Sequence, residues 1–116
     1  MPDSGSFPDN RGVELPMLIL VQIDISQANM SIFEDYETQV LSLLGNHGGV
    51  LVERLRSMDG KSEVHLLDFP DTRSFDAFRA DPARAALQDL WCSCGALTTV
   101  TDVRRLDQRT ADATVS

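Results

Sequence analysis

Residues 50–70, VLVERLRSMDGKSEVHLLDFP, decide the fold of this chain. Apolar and polar residues alternate on both sides of Asp59-Gly60, a dipeptide that favours a tight turn between antiparallel strands. The stretch therefore predicts a β-hairpin with strands from Val50 to Ser57 and from Glu63 to Phe69. The first of these strands carries charges at alternate positions, which is typical of a strand at the edge of a sheet.

A strand and a helix precede this hairpin. Met17 to Ile25 alternate β-branched residues with other side chains, which predicts a strand. Ser31 and Glu34 have the spacing of a capping box, so the first helix is predicted to begin near Ser31. Its apolar positions are Phe33, Tyr36, Val40, Leu43 and Leu44, and its end is predicted at Gly45, Gly48 and Gly49.

A helical segment and a last strand follow the hairpin. The segment is predicted in two pieces because Asp81 and Pro82 match an N-cap and a first helical position. Asp71 or Thr72 caps the first piece. Thr98 to Leu106, rich in Thr and Val, is the predicted fourth strand. The apolar positions of the segment are Phe75, Phe78, Ala86, Leu87, Leu90 and Trp91.

The order strand, helix, strand, strand, helix, strand predicts one α+β domain with the ferredoxin-like split βαβ fold. Its four strands form an antiparallel sheet, and the helices cover one face. We expect this domain at residues 17–106. Residues 1–16 and 107–116 are polar and lack periodicity, so they are predicted to be a disordered N-terminal tail and a flexible C-terminal tail.

The other face of the predicted sheet has no helix to cover it. Strand alternation places Leu18, Leu20, Val64 and Leu66 on that face. An exposed apolar patch of this kind marks an interaction site, and burying each side chain is worth roughly 1.5–3 kcal/mol. We therefore expect a second copy of the chain to cover the patch in a symmetric homodimer. The alternative is a monomer with a semi-polar open sheet.

Composition and charge limit the partners and the compartment. A net charge of −8 disfavours nucleic acid and anionic membranes, since both bind Lys and Arg. The longest apolar run, Met17 to Val21, is too short to span a bilayer, and the first residues lack the apolar core of a signal peptide. A cytoplasmic location is expected. Cys92 and Cys94 have a spacing that would strain a disulfide, so reduced thiols are expected.

The end of the hairpin and the helical segment resemble the dimeric α/β-barrel superfamily. The relevant runs are Leu67-Asp68-Phe69-Pro70-Asp71, Ser74-Phe75-Asp76-Ala77-Phe78 and Asp81-Pro82. They are similar to the superfamily pattern of a strand ending in an acidic residue and Phe-Pro, an aromatic helix, and a Ser/Asp-Pro break. The superfamily includes the antibiotic-biosynthesis monooxygenases, haem-degrading enzymes, isomerases and members of unknown function, and the chain resembles these last most closely. The resemblance spans roughly residues 17–106.

The resemblance does not extend to a cofactor. The haem-degrading members use a Trp and a His on the second helix and an Asn on the first strand, where this chain has Phe78, Gln88 and Gln22. Without the His there is no axial ligand for haem iron. The quinone-forming monooxygenases use Asn, Trp and Arg around an aromatic substrate, and Trp91 stands at the opposite end of the helix from their Trp. We expect no cofactor.

Three residues are candidate acid–base catalysts. Asp68 stands where many superfamily members have Glu or Asp, and burial there would raise its pKa. His65 alternates with Asp68 and so belongs to the helix side of the sheet. Tyr36 combines a ring with a hydroxyl group on the first helix. The alternatives are an Asp68 paired with a neighbour, and a His65 and a Tyr36 that only pack in the core.

Four further residues are candidate ligand contacts. Gln22 and Asp24 share a strand face with Asp68, and the three can form the polar rim of a cavity. Phe78 and Trp91 can form an aromatic wall against which a ligand stacks. Solvated polarity at a strand end and ordinary core packing are the alternatives. No His and carboxylate have the spacing of metal ligands on a helix, so no metal site is predicted.

Three functions are compatible with these features. The first is a small dimeric α/β-barrel protein that binds a small apolar or aromatic metabolite between helices and sheet. The second is a cofactor-independent monooxygenase or isomerase of the antibiotic-biosynthesis-monooxygenase type. The third is a non-catalytic dimerisation module. A pocket with Asp68 or His65 pointing inward favours the second function, and a closed core favours the third.

Overall fold

The computed structural model describes residues 15–106, and the predicted tails lie outside these residues apart from Leu15 and Pro16. The strands are β1 (Met17–Asp24), β2 (Val50–Arg56), β3 (Ser62–Phe69) and β4 (Leu97–Val103). The helices are α1 (Met30–Leu41), α2 (Thr72–Arg79), α3 (Pro82–Ala85) and α4 (Gln88–Cys94), and a 3₁₀ helix spans Leu44–His47. This element order confirms the predicted ferredoxin-like α+β fold.

The four strands form an antiparallel sheet in the order β2-β3-β1-β4. β1 and β3 are therefore central, and β2 lies at an edge as its charges predicted. Residues directly opposite each other in neighbouring strands point to the same face, and Leu20 lies opposite Leu66 and Thr101. We call the face that meets the helices the inner face and the other the outer face. The four predicted outer-face residues, Leu18, Leu20, Val64 and Leu66, are all half-buried there.

The first helix begins with a different cap from the one predicted. Asn29 is its N-cap, and the side-chain oxygen of Asn29 accepts a hydrogen bond of 3.2 Å from the N–H of Ile32. Ser31 lies within the first turn, so the predicted capping box is wrong. Asn caps a helix about as well as Ser, and it stands two residues earlier. The helix ends at Leu41, before the predicted glycines.

The helical segment has three pieces where the sequence predicted two. Asp71 caps α2 by accepting from the N–H of Ser74 at 2.7 Å. Asp81 caps α3 with Pro82 in the first turn, as predicted. A further break separates α3 from α4, because Leu87 has φ −92° and ψ 2°, outside the helical region.

The core consists of two apolar clusters on the inner face. The first contains Ile19, Val40, Leu44, Leu67, Phe69, Phe75 and Phe78, and the second contains Ile23, Ile25, Phe33, Cys94 and Ala96. Val21 packs against both clusters from the middle of β1. The space between α1, the helical segment and this part of the sheet is where the cavity described below lies.

No helix within residues 15–106 combines the length and apolar character that crossing a bilayer requires. The cytoplasmic location stays a prediction.

Candidate functional site

A cavity of about 490 Å³ lies between the helices and the inner face of the sheet. Its floor is apolar and includes Ile19, Val21 and Leu67. The walls come from α1 on one side and from the helical segment on the other. Eight of the lining residues within the described part of the chain carry polar groups: Tyr36, Glu37, His65, Arg79, Arg84, Gln88, Trp91 and Thr98.

Aromatic rings form much of the wall. The ring centroids of Tyr36 and Trp91 are 5.0 Å apart with the planes tilted by 45°, so α1 and α4 meet through this pair. Phe78 packs on Phe69 at 5.5 Å, and the guanidinium carbon of Arg84 lies 5.4 Å from the Phe78 ring centroid. Of the predicted site residues, Tyr36, Phe78 and Trp91 therefore all lie in the wall of this cavity.

A polar cluster that includes His65 borders the cavity. His65 and Glu63 lie on the inner face of β3, and His65 Nε2 is 2.6 Å from Glu63 Oε2. Because an ionised carboxylate only accepts hydrogen bonds, Nε2 carries the proton and donates it to Glu63. Glu37 of α1 faces this pair, with its Oε1 3.5 Å from His65 Nε2. All three residues are at most 3% exposed.

Two arginines of β2 balance the charge of this cluster. Arg54 Nε donates to Glu63 Oε2 at 2.9 Å, and Arg56 donates to Glu63 Oε1 from Nε at 2.9 Å and from Nη2 at 2.6 Å. Both arginines also reach Glu34 of α1. The pairing of these arginines with carboxylates ties α1 to the edge of the sheet. Glu34, Glu37, Arg54, Arg56, Glu63 and His65 are called the inner polar cluster below.

The environment shifts the pKa values of this cluster in different directions. Burial raises the pKa of Glu37 to about 7, and the neighbouring Glu63 adds to the shift. Burial alone would also raise the pKa of Glu63, but hydrogen bonds from His65, Arg54 and Arg56 outweigh it and lower that pKa. Burial lowers the pKa of His65 although the bond to Glu63 opposes this. At neutral pH, His65 is therefore neutral, Glu63 is ionised, and Glu37 is close to half-protonated.

This chemistry suits proton transfer better than metal binding. One ligand atom from each of Glu37, Glu63 and His65 lies within 4.8 Å of the others, a spacing that admits an ion. Glu63, however, already accepts four hydrogen bonds, three of them from guanidinium groups. A cation bound there would have to displace these donors and lie beside two fixed positive charges. A group with a pKa near 7 is instead well matched to acid–base work.

Three predicted site residues lie on the outer face, away from the cavity. Asp68 is opposite Leu18 and Val50 in the sheet, and Gln22 is opposite Val64. Asp24 binds the hydroxyl and the backbone N–H of Ser26, and these hydrogen bonds lower its pKa. The structure therefore does not bring Gln22, Asp24 or Asp68 to the cavity between helices and sheet, where the ligand was expected.

Sequence reasoning missed Glu37 and Glu63. Glu63 precedes His65 by two residues in a strand, so alternation alone places both on the inner face. Glu37 follows the buried Phe33 by four residues and precedes the buried Val40 by three, which is the spacing of the apolar stripe of α1. A charged residue within an apolar stripe was the available sign of a buried functional group.

Neither a protein-family model nor a curated protein sequence matches the chain. Solved structures do: 52 chains match it. SnoaB, a cofactor-independent oxygenase from Streptomyces nogalater, shares 15% identity at a TM-score of 0.64, over 78% of this chain and 95% of its own. A protein assigned as an antibiotic-biosynthesis monooxygenase from Caulobacter crescentus shares 8% identity at a TM-score of 0.65, over 87% of this chain and 100% of its own.

A protein of unknown function from Rhodopseudomonas palustris is also similar, with 14% identity and a TM-score of 0.66 over 92% of this chain and 96% of its own. Identities this low show the fold alone. They confirm that the chain has the ferredoxin-like fold found among antibiotic-biosynthesis-monooxygenase-like proteins and among proteins of unknown function, as the sequence resemblance implied.

Proposed function

We propose that this protein binds a small, mainly apolar or aromatic molecule in the cavity between helices and sheet. The cavity itself carries the proposal: its volume of about 490 Å³ falls within the range of small-molecule sites, roughly 300–1,000 Å³. Its lining has the composition of such sites, with aromatic and aliphatic walls and a few polar groups. Protein interiors seldom leave voids larger than a water molecule, so a cavity of this size argues against a dimerisation module with a filled core.

Trp91 provides a direct test, because it is the only tryptophan of the chain and lines the cavity. 1-Nitronaphthalene, a bicyclic quencher of indole emission, should quench Trp91 in a saturable manner. Thr98→Phe narrows the cavity from β4, and we expect it to weaken binding at least tenfold. Thr99→Phe makes the same change on the outer face of the same strand and should leave binding unaltered. Equal, non-saturable quenching in all three proteins would contradict the proposal.

A second candidate function is a cofactor-independent monooxygenase or isomerase. Its support is the placement of His65 and Glu37, two groups suited to proton transfer, inside the cavity. The structural similarity to the oxygenase SnoaB is compatible with this function. Among the predicted catalysts, His65 and Tyr36 line the cavity, whereas Asp68 lies on the outer face. In this function Tyr36 and His65 keep the acid–base roles predicted for them, and Phe78 and Trp91 stack on the substrate.

The outer face supports a homodimer as the functional form. Beside its four half-buried residues, it exposes Val50 and Leu55 of β2, each 57% exposed, and Leu97 of β4, which is 69% exposed. Cross-strand pairing places these side chains opposite Asp68, Val64 and Asp24, on the outer face. A second sheet packed face to face would bury this surface on both copies, and a two-fold axis makes the same surface complementary to itself.

A further inference from the structure

We propose that the ligand is an aromatic alcohol whose hydroxyl group donates a hydrogen bond to Nδ1 of His65, and that Glu63 is the positioning residue that leaves Nδ1 free to accept it. This inference rests on the proposed function, since it requires a ligand in the cavity. It names the polar group of that ligand and gives a role to Glu63, which the sequence did not indicate.

The contact with Glu63 fixes the position of the proton on the His65 ring. Nε2 of His65 lies 2.6 Å from Oε2 of Glu63. Hydrogen bonds from Arg54 and Arg56 help to keep Glu63 ionised, so its oxygens only accept and Nε2 must donate. Burial lowers the pKa of His65 and so favours the neutral ring, which carries a single ring proton. Nδ1 therefore has a lone pair and no hydrogen.

Nδ1 of His65 is an acceptor that the protein leaves unused. It takes part in no hydrogen bond within residues 15–106, where the buried side-chain atoms without a partner are Glu37 Oε1 and Arg84 Nε. Since Nδ1 is not one of these buried atoms, it retains accessible surface. The two nitrogens of an imidazole ring point away from each other, so Nδ1 faces away from Glu63. His65 is only 3% exposed and lines the cavity, which is therefore the space to which Nδ1 opens.

A hydroxyl group on an aromatic ring fits this acceptor and its surroundings. A ligand without a donor would cover Nδ1 and leave a buried acceptor unpaired, which is unfavourable. Tyr36, Phe78 and Trp91 line the same cavity, so the body of the ligand packs against aromatic rings. The guanidinium groups of Arg79 and Arg84 also line it and oppose a cationic donor such as an ammonium group. A phenolic hydroxyl is neutral at pH 7 and is attached directly to the ring.

Two probes with the same ring system test this contact. 2-Naphthol carries a hydroxyl group, whereas 2-fluoronaphthalene carries a fluorine atom that donates no hydrogen bond. Their dissociation constants are measured at pH 7 by ¹H–¹⁵N NMR titration, and we expect 2-naphthol to bind at least about fivefold more tightly to the natural protein. His65→Phe should bring the two dissociation constants to within about twofold of each other.

His47→Gln is the matched control. His47 is the other histidine of the chain, and it is not among the residues that line the cavity. The preference for 2-naphthol should persist in this variant. The variant also leaves His65 as the single histidine, which assigns the ring signals of His65 in NMR spectra.

The ¹⁵N chemical shifts of the His65 ring report the position of the proton directly. In the natural protein, Nδ1 should have the shift of an unprotonated nitrogen, and 2-naphthol should move this signal upfield whereas 2-fluoronaphthalene should not. This measurement does not depend on the folding of any variant.

Glu63→Gln tests the positioning role. Arg56 donates twice to Oε1 of Glu63, so the amide oxygen of Gln should take that place and the NH₂ group should face Nε2 of His65. The ring proton should then move to Nδ1, and the preference for 2-naphthol should be lost. The ¹⁵N shifts of the ring separate this effect from a merely structural one, because loss of packing alone would not move the proton.

Three results would overturn this inference: equal affinity of the natural protein for the two probes, a proton on Nδ1 in the natural protein, or a preference that persists in His65→Phe or Glu63→Gln. Failure of both probes to bind would also overturn it. In each of these cases the proposed function stands if 1-nitronaphthalene quenches Trp91 saturably. If neither probe binds and the quenching is not saturable, the proposed function fails and this inference fails with it.

Discussion

Replacing Glu37 with Gln should stabilise the protein above neutral pH and have little effect in acid. Glu37 is 3% exposed, and its Oε1 has no hydrogen-bond donor within residues 15–106. Gln has nearly the same shape but carries no charge into this site. The variant therefore isolates what it costs to ionise a carboxyl group between α1 and the inner face of the sheet.

The magnitude follows from the pKa, which burial raises from 4.5 to about 7. The folded protein holds this proton more tightly than the unfolded chain does, so the stability contributed by the protonated group is complete below pH 4.5. It is lost as the pH rises through about 7. A difference of this size corresponds to about 3 kcal/mol. The unfolding free energy of Glu37→Gln minus that of the natural protein should therefore increase by about 3 kcal/mol between pH 4 and pH 8.

Urea unfolding of both proteins at pH 4, 5, 6, 7 and 8, followed by Trp91 emission, measures this difference. The charged and titratable groups that face Glu37 are Glu34, Tyr36, Arg54, Arg56, Glu63 and His65. They are present in both proteins, so most of their own pH dependence cancels. Glu34→Gln is the control, since Glu34 is a partly exposed surface partner of two arginines whose loss costs about 1 kcal/mol or less.

A difference that stays constant across this pH range would show that Glu37 titrates as it does in the unfolded chain. A difference that falls with rising pH would show that the inner polar cluster favours the ionised carboxylate. Either result would refute the reasoning, and either would remove the basis for an acid–base role of Glu37 near neutral pH.

Three further variants test the outer face, the core and the first helix. Leu20→Glu places a charge at the centre of the outer face and should produce monomers or insoluble protein; a stable dimer in sedimentation velocity would contradict the proposed interface. Gly49→Ala should lower the unfolding free energy by roughly 1–3 kcal/mol, because the new methyl carbon would lie 2.7 Å from Cε1 of Phe69. Gly45→Ala, which meets nothing within 4 Å, is its control and should not destabilise the protein in the same urea titration. Asn29→Ala should cost about 1 kcal/mol through loss of the N-cap, and an unchanged thermal midpoint would rule that cap out.

The hairpin and the order of elements were predictable because they depend on local patterns. Alternation in β1 and β3 fixed which residues share a face, and the structure confirms it for Leu20 and Leu66 on the outer face. Helix boundaries were less predictable. Asn29 and Ser31 are both good N-caps, and the structure selects the earlier one, where the backbone N–H of Asn29 also bonds the carbonyl of Cys94 at 2.8 Å.

The location of the cavity was predicted, but only some of its polar residues were. His65, Tyr36, Phe78 and Trp91 were predicted and do line it. The strand pattern places Gln22, Asp24 and Asp68 on the same face as Val64 and Leu66, and the structure has them on that outer face, away from the cavity. Glu37 and Glu63 were overlooked because the sequence around each residue does not show that it is buried. Each becomes buried only when an element from the other half of the chain packs against it.

The sequence by itself determined the elements, their order and the face on which each strand residue lies, because these follow from the periods of strand and helix and from turn residues. Only the tertiary structure decided which charges share one buried space. The inner polar cluster joins residues of α1, β2 and β3, and Arg84 reaches the same cavity from α3. Such pairings depend on the distance between packed elements. This distance determines how deeply each charged group is buried and how strongly it interacts with its neighbours. A local sequence pattern does not contain that distance.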